Sequence, residues 1–233
     1  MRPVFFVLCL NILTSLACQD NKTDPVPGNE ADKFYFGADL SYANQILDHG
    51  GVYKDNGEIK NPYKIFKDHG TKLVRLRLWH NPKWTKEVYG AAGGKLYNDL
   101  TDVDKSIGLA RDAGMEVLLD FHYSDIWADP GTQRVPAAWQ NIRSIQVLND
   151  SVYNYTYKTL SFLQSKGHLP EFIQIGNETN CGMLYTDASQ GFPTCNGCNG
   201  QWSNLRSVIN SGIRAARDVS SSAGKTIKII LHV

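Results

Sequence analysis

Asp112-Ala113-Gly114-Met115-Glu116-Val117-Leu118-Leu119-Asp120-Phe121-His122-Tyr123 reads as a helix end, a glycine, and a short apolar strand that runs into polar and aromatic residues. The same order recurs along the chain. Asp68-His69-Gly70 precedes Leu73 to Leu78, Ser165-Lys166-Gly167 precedes Phe172 to Ile175, and Ser222-Ala223-Gly224 precedes Ile227 to Leu231. Glycine tolerates the left-handed conformation that ends many helices. The apolar runs are short enough for buried parallel strands. An earlier strand is predicted over Phe34 to Leu40, so five strands are expected, with helices between them. Alternating strand and helix implies an α/β fold with a parallel sheet.

The helical segments support this. Asn61-Pro62 is a helix start, with proline at the first helical position. Thr101 with Asp104 predicts a capping box, and Val103, Ile107 and Ala110 then share a face. Helical spacing also relates Tyr153, Tyr157, Leu160 and Leu163, and again Leu205, Val208, Ile209 and Ile213.

A doubly wound sheet and a closed barrel both fit such a pattern. The doubly wound fold binds nucleotides through a glycine-rich turn after its first strand. Here that strand enters Gly37-Ala38-Asp39-Leu40-Ser41-Tyr42, which has neither dinucleotide fingerprint nor phosphate loop. Polar and aromatic residues instead follow every strand: Asp39, Trp79-His80, His122-Tyr123, Asn177-Glu178 and His232. A barrel gathers its chemistry at that rim, and needs about eight strands to close. The expectation is a (β/α)8 barrel truncated after about the fifth strand.

Composition narrows function only by exclusion. The chain has 233 residues and a formal net charge of +1. Neither nucleic acid nor an acidic polymer is implied as a partner. Residues 1–18 read as a secretory signal: Arg2 is followed by a mostly apolar run from Val4 to Leu16, too short to span a membrane. Ala17-Cys18 then resembles a lipobox, with Cys18 the lipidated residue. Residues 19–33 are polar, contain Pro25, Pro27 and Gly28, and read as a flexible tether. Residues 34–233 form the barrel part. The expected location is an outer-membrane or cell-surface lipoprotein, otherwise periplasmic or secreted, with membrane contact only through the lipid and the protein a monomer. Export permits disulfides. With Cys9 leaving in the signal, Cys181, Cys195 and Cys198 remain, and one bridge from Cys181 to either of the later two is expected. Zinc needs about four ligands, and no second Cys or His pair is near, so no metal site is assigned.

Strand alternation sorts the site candidates. Arg75, Arg77 and Trp79 share one face of their strand, with Leu76 and Leu78 on the other. Buried arginines need anionic partners; Arg75 alone reads more readily as a structural ion pair. Asp120 and His122 also point inward. The loop Tyr123-Ser124-Asp125-Ile126-Trp127-Ala128-Asp129-Pro130 is rich in groups that bind hydroxyls or stack on sugar rings, although Asp129-Pro130 is also an ordinary turn. Glu178 ends the fourth strand. Glycoside hydrolysis needs one carboxyl that donates a proton and a second carboxylate, and apolar surroundings help a carboxyl keep its proton. Asn177 beside it offers a hydrogen bond to a sugar hydroxyl.

At these motifs the sequence resembles glycoside hydrolase family 53, the arabinogalactan endo-β-1,4-galactanases, over Phe34 to Val233. The matching stretches are Gly37 to Tyr42, Val74 to Pro82, Asp120 to Pro130, and Gly176-Asn177-Glu178. The resemblance implies retaining endo-hydrolysis of galactan or arabinogalactan in pectin side chains, with Glu178 as acid/base and Asn177 orienting the sugar. It implies that Arg77, or less readily Arg75, supports the nucleophile, and that Asp39, Trp79, His122, Trp127 and Asp129 belong to the cleft. The nucleophile is expected on the seventh strand, beyond Val233, so the 233-residue chain alone is expected to be inactive. No cofactor is implied; the structural calcium of some members belongs to later loops. Thr179 to Tyr185 and the cysteine-bearing insert 187–200 depart from the family pattern at the cleft edge. Three other readings stand beside this one: a barrel glycosidase of mannanase or cellulase specificity, a non-catalytic glycan-binding lipoprotein, and a redox or metal protein built on Cys195 and Cys198.

Overall fold

Four of the helices end where the glycines predict. The computed structural model describes residues 34–88 and 94–233. The signal and tether assignments, with Cys9 and Cys18, lie outside the described residues. Gly70, Gly114, Gly167 and Gly224 take φ of 93°, 73°, 74° and 59° after the helices they terminate, which returns each chain toward the sheet.

The sheet strands are β1 (Gly37–Asp39), β2 (Leu73–Leu78), β3 (Glu116–Phe121), β4 (Phe172–Ile175) and β5 (Lys228–Ile230). They pair in sequence order and all in parallel. The connections carry α1 (Ala43–Asp48) and α2 (Pro62–Asp68), then α3 (Leu100–Asp112), α4 (Ile145–Ser165) and α5 (Trp202–Ala223). Sequential parallel pairing through helical crossovers is the arrangement of a (β/α)8 barrel, not of a doubly wound sheet, whose order reverses. The first strand is shorter than expected: Phe34 and Phe36 are exposed and lie ahead of it, although Phe36 O accepts from Lys72 N at 2.8 Å at the entry to β2.

Side chains alternate across the strands. Val74, Leu76, Leu78, Val117, Leu119, Phe121, Ile173 and Ile175 are fully buried in the layer between sheet and helices. Burying one such side chain contributes about 1.5–3 kcal/mol. The alternate residues face the inside of the sheet. One inward row is Arg77, Asp120 and Gln174, aligned by the strand register. A hydrophobic strand thus presents a charged stripe on its concave face only because its other face satisfies the core.

Two local expectations are corrected. The α3 cap is Asp99, whose carboxylate accepts from Asp102 N at 2.9 Å; the Thr101–Asp104 box does not form, because the helix begins at Leu100. On α4 the buried stripe is Leu148, Val152, Thr156, Leu160 and Leu163. Tyr153 and Tyr157 stack on each other outside it, with Tyr153 Oη donating to Asp218 of α5 at 2.7 Å. Asn61 caps α2 as predicted, accepting from Tyr63 N. No helix among the described residues is long and apolar enough to cross a membrane.

Candidate active site

The C-terminal ends of the strands bring most of the sequence-selected residues into one network, with Arg75 at its centre. Arg75 Nη1 donates to Asp39 Oδ2 at 2.7 Å, and Nη2 donates to Asp120 Oδ2 at 2.5 Å and to Asn177 Oδ1 at 2.7 Å. Four neighbouring elements are thereby tied by one guanidinium. Asp120 is fully buried and accepts further from Gln174 Nε2 at 2.7 Å. A buried carboxylate is tolerable only with such cationic and polar partners.

Arg77, one inward position further along β2, occupies a different place. Its Nη2 donates to Asp39 Oδ1 at 2.9 Å, and its guanidinium lies between the rings of Tyr42 and Trp127, 4.4 and 4.6 Å from their centroids. Its Nη1 is buried without a hydrogen-bond partner among the described residues. Burial alone would push the Asp39 carboxyl up; the hydrogen bond and charge of Arg77, with two hydrogen bonds from Ser41, outweigh it and hold Asp39 below its ordinary range.

His122 and Trp79 lie beneath this layer. Both are buried, so they back the cleft rather than offer it a face. His122 Nδ1 accepts from Trp79 Nε1 at 3.2 Å and from Ala128 N at 3.1 Å. An atom that accepts two N–H groups carries no proton, which leaves Nε2 as the protonated nitrogen; it lies 2.9 Å from Asp120 Oδ2 but without hydrogen-bond geometry. Trp127 is 38% exposed and stands edge-on to His122 at 5.7 Å; of these three rings it is the one that solvent reaches. Asp129 is half-buried, and its carboxylate closes a turn by accepting from Gly131 N at 2.8 Å.

Asn177 and Glu178 follow β4. The Asn177 amide is fixed in orientation: Nδ2 donates to Ala128 O at 2.7 Å while Oδ1 takes Arg75 and lies 2.9 Å from His232 Nδ1. Its second N–H points toward Glu178 Oε1 at 3.5 Å. Glu178 is half-buried at the rim and has φ of +47°, a left-handed conformation that costs a non-glycine residue about 1–2 kcal/mol.

Gln174, Ser41 and Gln133 belong to the network but were not selected from sequence. Gln174 was within reach of the alternation argument, since it shares the inward row of Asp120. Gln133 lies in a loop with no periodicity to reveal it. Beyond Glu178, Cys181 is bonded to Cys198, and Cys195 is a buried free thiol, pushed up to about 12 by burial. Gly182 is required in the hairpin the bridge closes, because a Cβ there would meet Cys195 O at 2.0 Å. No group of three or more His, Cys, Asp or Glu among the described residues is arranged to hold a metal ion.

Residues 35–233 match the family described as Glycosyl hydrolase family 53. The chain is 42% identical over 202 residues to an arabinogalactan endo-beta-1,4-galactanase of Cellvibrio japonicus, covering 86% of this chain and 49% of that protein. It is 33% identical over 226 residues to an endo-beta-1,4-galactanase of Bacillus subtilis, covering 94% of this chain and 46% of that protein. Among solved structures, the Ignisphaera aggregans GH53 catalytic domain superposes with a TM-score of 0.72 at 36% identity, over 90% of this chain and 54% of that one. A structure of fungal beta-1,4-galactanases superposes with a TM-score of 0.71 at 32% identity, over 85% and 53%. The chain spans about half the length of the curated relatives it matches.

Proposed function

The chain belongs to glycosyl hydrolase family 53, and from that premise we propose that its protein is a retaining endo-β-1,4-galactanase acting on galactan or arabinogalactan. The observation that carries this reading is the placement of Glu178 at the rim after β4, beside an Asn177 whose amide is locked by Arg75 and Ala128. Glu178 protonates the glycosidic oxygen as the sugar leaves, and then takes a proton from the water that releases the glycosyl–enzyme. Asn177 turns its second N–H, which makes only a long 3.5 Å contact to Glu178 Oε1, to a sugar hydroxyl near the scissile bond. The nucleophile is expected on the seventh strand, about 5 Å from Glu178. Arg77, held by Asp39 and Ser41, is assigned to support that carboxylate, and half-exposed Trp127 supplies a stacking surface.

The test is Glu178→Gln in the full-length protein, assayed on β-1,4-galactan, mannan and β-glucans. The wild type is expected to cleave galactan in preference to the others. The variant is expected to lose about 10²- to 10⁴-fold in kcat on it, the usual contribution of a general acid/base. Full activity in the variant, or wild-type turnover of mannan or glucan instead, refutes the reading.

A further inference from the structure

We propose that Gln133 is a positioning residue for the acid/base, fixing the peptide from which Glu178 projects; the inference rests on the assignment of Glu178 as proton donor. Gln133 is 2% exposed. Its Nε2 lies 2.8 Å from Asn177 O, 3.2 Å from Glu178 O and 3.1 Å from Asp129 O. Three carbonyl oxygens around one amide terminus settle its orientation, since the amide oxygen in that place would face three acceptors. Its backbone oxygen accepts from Tyr185 N at 2.9 Å and Thr186 N at 3.0 Å. One buried side chain and its own carbonyl therefore join the loop after β3, the end of β4 and the segment beyond Glu178.

The need for such a clamp follows from the backbone. At φ of +47° Glu178 sits in a conformation that persists only where its surroundings over-determine it. Arg75, Gln174 and Ala128 hold the Asn177 side chain, but none of these hydrogen bonds reaches the main chain of Glu178. On its N–H side the nearest partner is His232 Nδ1 at 3.4 Å, long for a hydrogen bond. The carbonyl side is held by Gln133, which also holds the preceding carbonyl. The same peptide is held on its other edge by Thr179 N, which donates to His232 O at 2.8 Å; with the Gln133 donors removed it keeps only its contacts to His232, and the carboxyl shifts with whatever movement these allow. A displacement of about 1 Å at a catalytic group costs on the order of 10²-fold in rate.

The discriminating measurement is kcat/KM for Gln133→Leu in the full-length enzyme on two substrates, β-1,4-galactan and dinitrophenyl β-1,4-galactobioside. A sugar leaving group needs the proton that Glu178 donates, whereas dinitrophenolate leaves without it. Gln133→Leu is expected to lose about tenfold or more on galactan and to change little on the aryl glycoside. Because both values come from one sample, their ratio is independent of the fraction folded. Equal losses on both substrates overturn the proposal and leave Gln133 a structural residue. Glu178→Ala, run in parallel, separates the two assignments. If it too loses equally on both, the proton-donor reading has failed; if it discriminates and Gln133→Leu does not, only the positioning role has failed.

Discussion

Arg75 and Arg77 are separated by one residue on β2 and face the same way, yet they do different work. Alternation placed both inside the sheet, which any period-two reading of Arg75-Leu76-Arg77-Leu78 finds. It did not say which would meet Asn177, because that depends on how the neighbouring strands are staggered. Asp39 is in register with Arg75, and Arg77 with Asp120, yet each guanidinium reaches along the strand to partners outside its own row. Gln133 was illegible for a related reason: its partners are main-chain carbonyls, which leave no mark on sequence. The isolated structural pair suggested for Arg75 becomes a four-element junction, and its removal should be felt as stability. Arg75→Ala leaves Asp120 buried without its cation, and is expected to cost about 3–5 kcal/mol in urea unfolding. Arg75→Lys keeps the charge without the fork that reaches three acceptors, and should fall between. A wild-type midpoint for Arg75→Ala would show that Gln174 and His122 suffice for Asp120.

At the level of elements, the helix-terminating glycines and the apolar runs after them make the order of strands and helices readable in the sequence. What could not be read was which face of α4 turns inward. Its tyrosines mimic an apolar stripe, but their hydroxyls favour the outside, where Tyr153 meets Asp218 and its ring lies 4.8 Å from the Arg214 guanidinium. Helix α5 shows the same limit from the opposite direction. Gly212 looks like a defect within it, since glycine costs about 1 kcal/mol relative to alanine in a helix. The structure gives the reason: a Cβ there would lie 2.9 Å from Tyr123 Oη and 3.0 Å from Ile175 Cγ2. Tyr123 cannot easily yield, because its hydroxyl is 2.7 Å from Thr156 Oγ1 and it is fully buried. Gly212→Ala is therefore expected to destabilise by about 1–3 kcal/mol, the usual cost of overpacking, despite its better helix propensity. A rise in the thermal midpoint would mean that α5 shifts outward at no cost, and that its packing on β4 is looser than the distances imply.

Across the whole molecule, carboxylates anchor opposite ends of the sheet. Asp39 holds the rim, where Arg77 and Ser41 overcome the upward push of burial. Glu171 holds the other end, ahead of β4. Burial pushes its pKa up, but Lys225, Val117 N and Arg111 together bring it below the ordinary value. A carboxyl whose pKa is lower folded than unfolded binds fewer protons in the native state. Its stabilisation is complete above the unfolded value, near 4, and is lost as pH falls through the folded value. The unfolding free energy of the full-length protein is accordingly expected to be level from about pH 6 to 5 as far as these two groups are concerned, and to decline below about pH 4. Asp39→Asn and Glu171→Gln should each lower stability at neutral pH and flatten the acid limb, and together should flatten it further, because the two sites share no partner. If the double variant declines with the wild-type slope, acid sensitivity comes from carboxylates elsewhere, and the ends of the sheet are held by packing rather than by charge.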